Sequence, residues 1–201
     1  MTRPLPPATL DLTDDFAVAQ DLGQWARQTF IEDDGPLHNP RYEHLADASI
    51  GWLWSTYPAA NKGMMIAGEC RMPAPLQNRW TSAATHYQTV KWFGHVPDYV
   101  ITIAAAAADW DEWSFCALIE HELCHTTHLV DQYGMPRFTR DGNPILGIVG
   151  HDVEQFVDVV ARYGAVASGV ADMVRVANKG PSIGQAQIDA ACGTCKARIA
   201  A

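Results

Sequence analysis

The stretch His121-Glu122-Leu123-Cys124-His125 decides how this chain is read. It sets two imidazoles four residues apart, with a carboxylate beside the first. On an α-helix such a pair stands about 40° apart around the axis, one turn above the other, so both rings can grip one metal ion. Glu122, rotated about 100° from His121, can reach a water on that metal instead of the metal itself. This is the H-E-x-x-H arrangement of zinc metallopeptidases. The competing reading is an amphipathic helix whose histidines are satisfied by hydrogen bonds in a core.

Working outward, a long helix is expected over Asp109 to Leu129, ended by Gly134 and Pro136. Asp141-Gly142-Asn143-Pro144 is a strong turn signal, so residues 137–149 read as a hairpin. Asp152, with Gln155 three residues on, resembles a capping box and opens a helix to about Tyr163, stopped by Gly164. Upstream, Lys62 to Met72, Gln88 to Phe93 and Asp98 to Ile103 read as strands, with a Pro-bearing loop from Met72 to Thr85. Helices are expected at Asp14 to Ile31 and Tyr42 to Tyr57, and at Ser168 to Asn178 and Gln185 to Ile199. The order of helices, strands and helices predicts an α+β fold, a small mixed or antiparallel sheet packed against the H-E-x-x-H helix. One domain over 1–201 is expected, with a helical N-terminal extension (1–60), a catalytic core (61–165) and C-terminal helices (166–201).

Bulk properties narrow the function. A net charge of −9 argues against general nucleic-acid binding, which needs a basic surface. The longest apolar run, Tyr99 to Ala108, is far short of the ~20 residues of a membrane helix, and the start MTRPLPPATLDLTDD has no apolar core of a signal peptide. A cytoplasmic protein, of a host cytoplasm if phage-encoded, is the expectation. Five cysteines do not form a disulfide pattern. Cys192 and Cys195 make a lone C-x-x-C: a redox pair, half of a metal site completed by Cys70, or two small packing residues.

A catalytic zinc takes three protein ligands and leaves one position for water. His121 and His125 supply two. His151, just before the expected helix start, is the first choice for the third. Glu154 on that helix and Asp131, six residues after His125, are alternatives. The metzincin spacing that would favour Asp131 needs Gly at position 128, where this chain has His128. His128 itself would share one helix face with His121 and His125, and three collinear ligands close a tetrahedron poorly.

The segments ALIEHELCH (117–125) and GMPRFTRDGNPILGIVGHDVEQFVDVVARYG (134–164), with WFGHVPDYVITI upstream and ACGTC near the end, resemble the phage metallopeptidase family over roughly residues 60–196. The GHDVEQF element is the most particular part. More distantly, H-x-x-x-x-F after an H-E-x-x-H helix is similar to SprT-like minimal zincins, which implies a zincin-like fold. That resemblance places the third zinc ligand on His151 and a packing role on Phe156. The chain departs from the SprT-like pattern in lacking a full C-terminal zinc ribbon, which, with the acidic charge, speaks against proteolysis on DNA.

The implied activity is zinc-dependent hydrolysis of peptide bonds, with a peptide or protein substrate and Glu122 as general base. Tyr133, Tyr163 and His128 are candidate donors to the oxyanion. An extended peptide would add to an edge strand, Lys62 to Met72 or Asp98 to Ile103. Two other readings stay open: a non-catalytic zinc-binding assembly module of a phage, and a zinc amidase acting on peptidoglycan.

Overall fold

In the computed structural model, the described residues are 2–11, 15–61, 63–73, 76–153, 155–167, 169–187 and 191–194. The chain is α+β. Strand β1 (Phe16–Val18) leads into helix α1 (Gln20–Ala26), which continues as a π turn over Arg27–Ile31. A 3-10 segment, Pro40–Leu45, precedes β2 (Ile50–Ser55), then come β3 (Ala60–Asn61) and β4 (Met64–Arg71). Helix α2 (Trp80–Phe93), β5 (Tyr99–Ala104) and α3 (Glu112–Cys124) follow. The remainder is β6 (Thr126–His128), β7 (Leu146–Ile148), α4 (Val157–Ala167), α5 (Ala171–Lys179) and the two-residue β8 (Ala191–Cys192).

The main sheet is mixed and runs β1-β2-β5-β4-β3, with β8 added alongside β4. The β2–β5 pair is parallel over six residue pairs, Ile50↔Tyr99 to Ser55↔Ala104, and β4 runs antiparallel to β5. One face of the sheet packs against α3 and α1. Phe115 of α3 sits between Trp25 of α1 (ring centroids 5.8 Å) and Trp54 of β2 (6.1 Å). Ala67, Ile101 and Ile103 of the strands share this core with Leu118, Ile119 and Leu123 of the helix. Every apolar side chain that α3 buries here removes surface from water, at about 1.5–3 kcal/mol each for the large ones.

Several sequence expectations change. Tyr42 to Tyr57 is not a helix but a 3-10 turn followed by β2, whose Gly51 to Ser55 are all buried. A short apolar run buried on both faces carries no period that separates strand from helix. For the same reason residues 1–60 are not a helical extension, since β1 and β2 belong to the sheet. Phe16–Val18, inside the expected first helix, is a strand. Gln88 to Phe93, expected as a strand, is the end of α2, closed by Gly94 in the left-handed region (φ 76°), a conformation that favours glycine. Lys62 to Met72 does contain β4, and Asp98 to Ile103 covers all of β5 but its last residue, Ala104.

The metal-motif helix also ends earlier than expected, at the second histidine. Asp111 caps its start, accepting from the Trp113 and Ser114 N–H groups. At the other end, Thr126 turns into β6 and its hydroxyl donates to the Leu123 carbonyl (2.7 Å), satisfying one of the helix's orphan acceptors. β6 then pairs with β7, so the expected hairpin is larger, with the turn at Gly142 at its far end. Residues 152–156 are not helical where described, and α4 begins at Val157. Of the last expected helix, Gln185 to Ile199, residues 185–187 are not helical and 191–192 are a strand, whereas 188–190 and 195–199 lie outside the described residues.

Candidate metal and catalytic site

The site forms where α3 ends and two distant segments return to it. His121 and His125 project from the last turn of α3. The β6–β7 hairpin then brings the chain back beside them: the Val149 N–H donates to the His125 carbonyl (2.9 Å), and Val149's own carbonyl accepts from His125 Nδ1 (2.8 Å). This pair of bonds fixes the ring and assigns the Nδ1 proton, leaving Nε2 as the lone-pair nitrogen facing the site. Two residues on, His151 Nε2 stands 3.1 Å from His121 Nε2. The three ring centroids are 4.9–5.3 Å apart.

Tyr99 anchors the hairpin to the sheet. Its buried hydroxyl lies 3.0 Å from the Gly147 carbonyl and 3.2 Å from that of Thr127. His44, from the 3-10 segment, braces the other side through Nε2 to Thr126 Oγ1 (3.0 Å).

A fourth donor joins these rings. Cys192 Sγ lies 3.2 Å from His125 Nε2, and the donor atoms of His121, His125, His151 and Cys192 all fall within 4.8 Å of one another. Donors at about 2.0–2.3 Å from one tetrahedral ion would be about 3.3–3.6 Å apart. The 3.1 and 3.2 Å contacts lie just below that spacing and the 4.8 Å bound on the others lies above it, so the donors bracket a metal ion, which they would close on by side-chain rotation. N/S donors suit a borderline-soft divalent cation.

Glu122 lies directly beside this group and is wholly buried. Its Oε1 has no hydrogen-bond partner, and Oε2 accepts from the Thr194 hydroxyl (3.3 Å). Burial, and then the Cys192 thiol, push the carboxyl up to about 7, against the pull of His121, His125 and the Thr194 bond. Burial lowers His125, but its contacts with Cys192 and Val149 outweigh that and raise it. A cavity of about 340 Å³ opens on the site, lined by Arg41, His121, His125, His151, Asp152 and Met173, among others.

The structure thus gathers Glu122, His121, His125 and His151, and leaves other candidates elsewhere. The Asp131 carboxylate accepts from Tyr133 and Met135 N–H in its own turn. Glu154 lies outside the described residues. Phe156, expected to pack, is 79% exposed. Tyr133 and Tyr163 are exposed, and His128 Nε2 is engaged by the Arg137 carbonyl (2.7 Å), so none of the three faces the cavity. Cys70 is buried on β4 outside the donor group, its thiol pushed far up by burial and then by Glu122. Cys195 lies outside the described residues.

Sequence reasoning missed Cys192 as a partner of His125, because 67 residues of separation carry no geometry; its C-x-x-C was the only signal. It also missed Gly68, whose backbone touches Glu122.

Fold and site together define an α+β protein with a histidine cluster, built on the end of α3 and the segment after β7, that could hold a metal ion. Residues 23–178 match the family described as "Putative phage metallopeptidase", and the chain belongs to that family. The matched region begins well before residue 60 and ends before ACGTC. No curated protein and no solved structure gives a significant match.

Proposed function

We propose that this chain is a zinc-dependent peptidase of the minimal zincin kind, holding its ion with His121, His125 and His151 and using Glu122 as the general base. The observation that carries this reading is the unpartnered Glu122 Oε1, buried one residue from His121 and beside a group of three convergent imidazoles. A buried carboxylate without a partner is costly, and a purely structural metal site has no use for one. Zinc, when bound, polarises a carbonyl and acidifies a coordinated water.

The chain's own residues do the rest. Glu122, raised to about 7, is matched to taking a proton near neutral pH and returning it to a leaving amine. In this structure Oε2 accepts from Thr194, and Oε1 is the oxygen left without a partner. Val149 keeps His125 in the tautomer that presents Nε2. Arg41, on the cavity wall, is the cation best placed to steady negative charge on a substrate. An extended peptide would run along β4, which passes Glu122 at Gly68.

A second reading is favoured by Cys192. A fourth protein donor closes the coordination sphere, as in structural sites, which would suit an assembly module. Comparing wild type with Glu122→Gln separates the two. The peptidase reading expects equal zinc content and a loss of cleavage of about 10²–10⁴-fold in a proteome-derived peptide library. Equal cleavage by both proteins would remove Glu122 from the mechanism. No cleavage by any form, including Cys192→Ala with zinc bound, would favour the structural module.

A further inference from the structure

Residues 191–194 occupy the sheet edge that runs past Glu122. Ala191 and Cys192 pair in parallel with Ile66 and Gly68 of β4. The Gly193 N–H donates to the Gly68 carbonyl (2.8 Å). The Thr194 hydroxyl accepts from the Cys70 N–H (2.7 Å), and its own proton is shared between the Cys70 carbonyl (2.9 Å) and Glu122 Oε2 (3.3 Å). This is how an extended peptide docks on an open edge, through main-chain bonds with one side chain delivered to a pocket. Here the delivered side chain is Cys192, whose Sγ lies among the three histidine donors.

Two further observations mark this segment as an addition to the site. His121, Glu122, His125 and His151 all lie in the region shared with the family, residues 23–178, whereas Cys192 lies beyond it. The β4–β8 contact spans two residue pairs with a register irregularity between them, against six unbroken pairs between β2 and β5. A contact this short belongs to the least stable part of the fold.

We propose that residues 191–194 are an internal ligand of the site. Cys192 takes the coordination position that substrate would need, and the adjoining backbone takes the β4 edge on which an extended polypeptide would pair. The folded chain is thereby held latent until this segment is displaced. The meaning of that position rests on the peptidase reading, but the geometry does not. Coordination by sulfur releases the thiol proton to solvent.

Cobalt-substituted full-length protein tests this without using activity. Wild type should show a sulfur-to-cobalt charge-transfer band, and metal loading should protect Cys192 from iodoacetamide, as mapped by mass spectrometry. Cys192→Ala should keep one ion per chain, lose the band, and give a new cobalt spectrum with acetohydroxamate to which wild type is blind. If the peptidase reading also holds, Cys192→Ala should cleave peptides roughly tenfold faster or more, the gain expected when the open form is about 10% populated or less. Absence of the band in wild type, or equal alkylation with and without metal, overturns the proposal and leaves the peptidase reading standing. Loss of the ion from Cys192→Ala also overturns it, since the cysteine would then be a structural ligand. A variant that gains acetohydroxamate binding yet cleaves nothing upholds the internal ligand and sinks the peptidase.

Discussion

The backbone of Gly68 lies against the Glu122 carboxylate: a Cβ built at Gly68 would stand 2.5 Å from Oε1 and 2.9 Å from Cδ. Two elements far apart in sequence, β4 and α3, approach closely enough there that only glycine leaves the carboxylate where it is. The absent side chain is therefore part of the site.

Gly68→Ala should displace Glu122 while keeping the three histidines. Elsewhere in a strand such a change would stabilise slightly, by limiting the unfolded chain. Here we expect metal content near wild type and a fall in peptide cleavage of roughly 10²-fold, the cost of misplacing a reacting group by about 1 Å. Unchanged turnover in a metal-replete Gly68→Ala protein would mean that Glu122 needs no such placement.

His151→Ala should weaken zinc binding by at least about 100-fold, because losing even a supporting partner of a ligand costs 10–100-fold. Competition against a chromogenic chelator reads this directly. Asp131→Ala is the control and should leave affinity alone, its carboxylate being committed to the turn at Tyr133 and Met135.

Glu122 sets a pH signature for the metal-free protein. Its folded value is raised, to about 7 from 4.5, by burial and then by Cys192. The stability it contributes is therefore fully present below about 4.5 and is lost as pH rises through about 7. Glu122→Gln does not titrate, so its stability relative to wild type should climb over that window, as read from urea midpoints on chelator-treated protein. A flat difference from pH 4.5 to 8 would show that the carboxylate is solvated after all.

Tyr99→Phe should loosen the hairpin that carries Val149 and His151. Removing the hydroxyl leaves the Gly147 and Thr127 carbonyls short of a donor, a loss of about 1–3 kcal/mol. Burial pushes the Tyr99 phenol up to about 12 from 10.0. Its contribution is therefore complete below pH 10 and lost as pH rises through about 12, so the gap between wild type and variant should narrow at alkaline pH. Chemical denaturation at pH 7 and pH 11 checks both statements.

The parts of the fold legible in the sequence were those with a local signature. β4 and β5 stand out as β-rich runs bounded by turns, and the Gly142 turn by its Asp-Gly-Asn-Pro. β2 was hidden because Trp52, Leu53 and Trp54 are buried together, which removes the alternation that marks a strand. α2 was hidden for the opposite reason. Thr89 is its only fully buried residue, and Trp80 is 95% exposed, so no apolar stripe announces it.

The sequence by itself determined the pairing of His121 with His125 and the place of Glu122 beside them, because a four-residue spacing on a helix is a property of the local backbone. Only the tertiary structure decided what meets them. The β6–β7 ladder sets how far the chain travels before His151 returns, the packing of α3 on β4 brings Gly68 against Glu122, and the β4–β8 register brings Cys192 and Thr194 there. Those registers are set by side chains such as Tyr99 and by the packing of α3 on the sheet, long-range contacts that no spacing along the chain encodes.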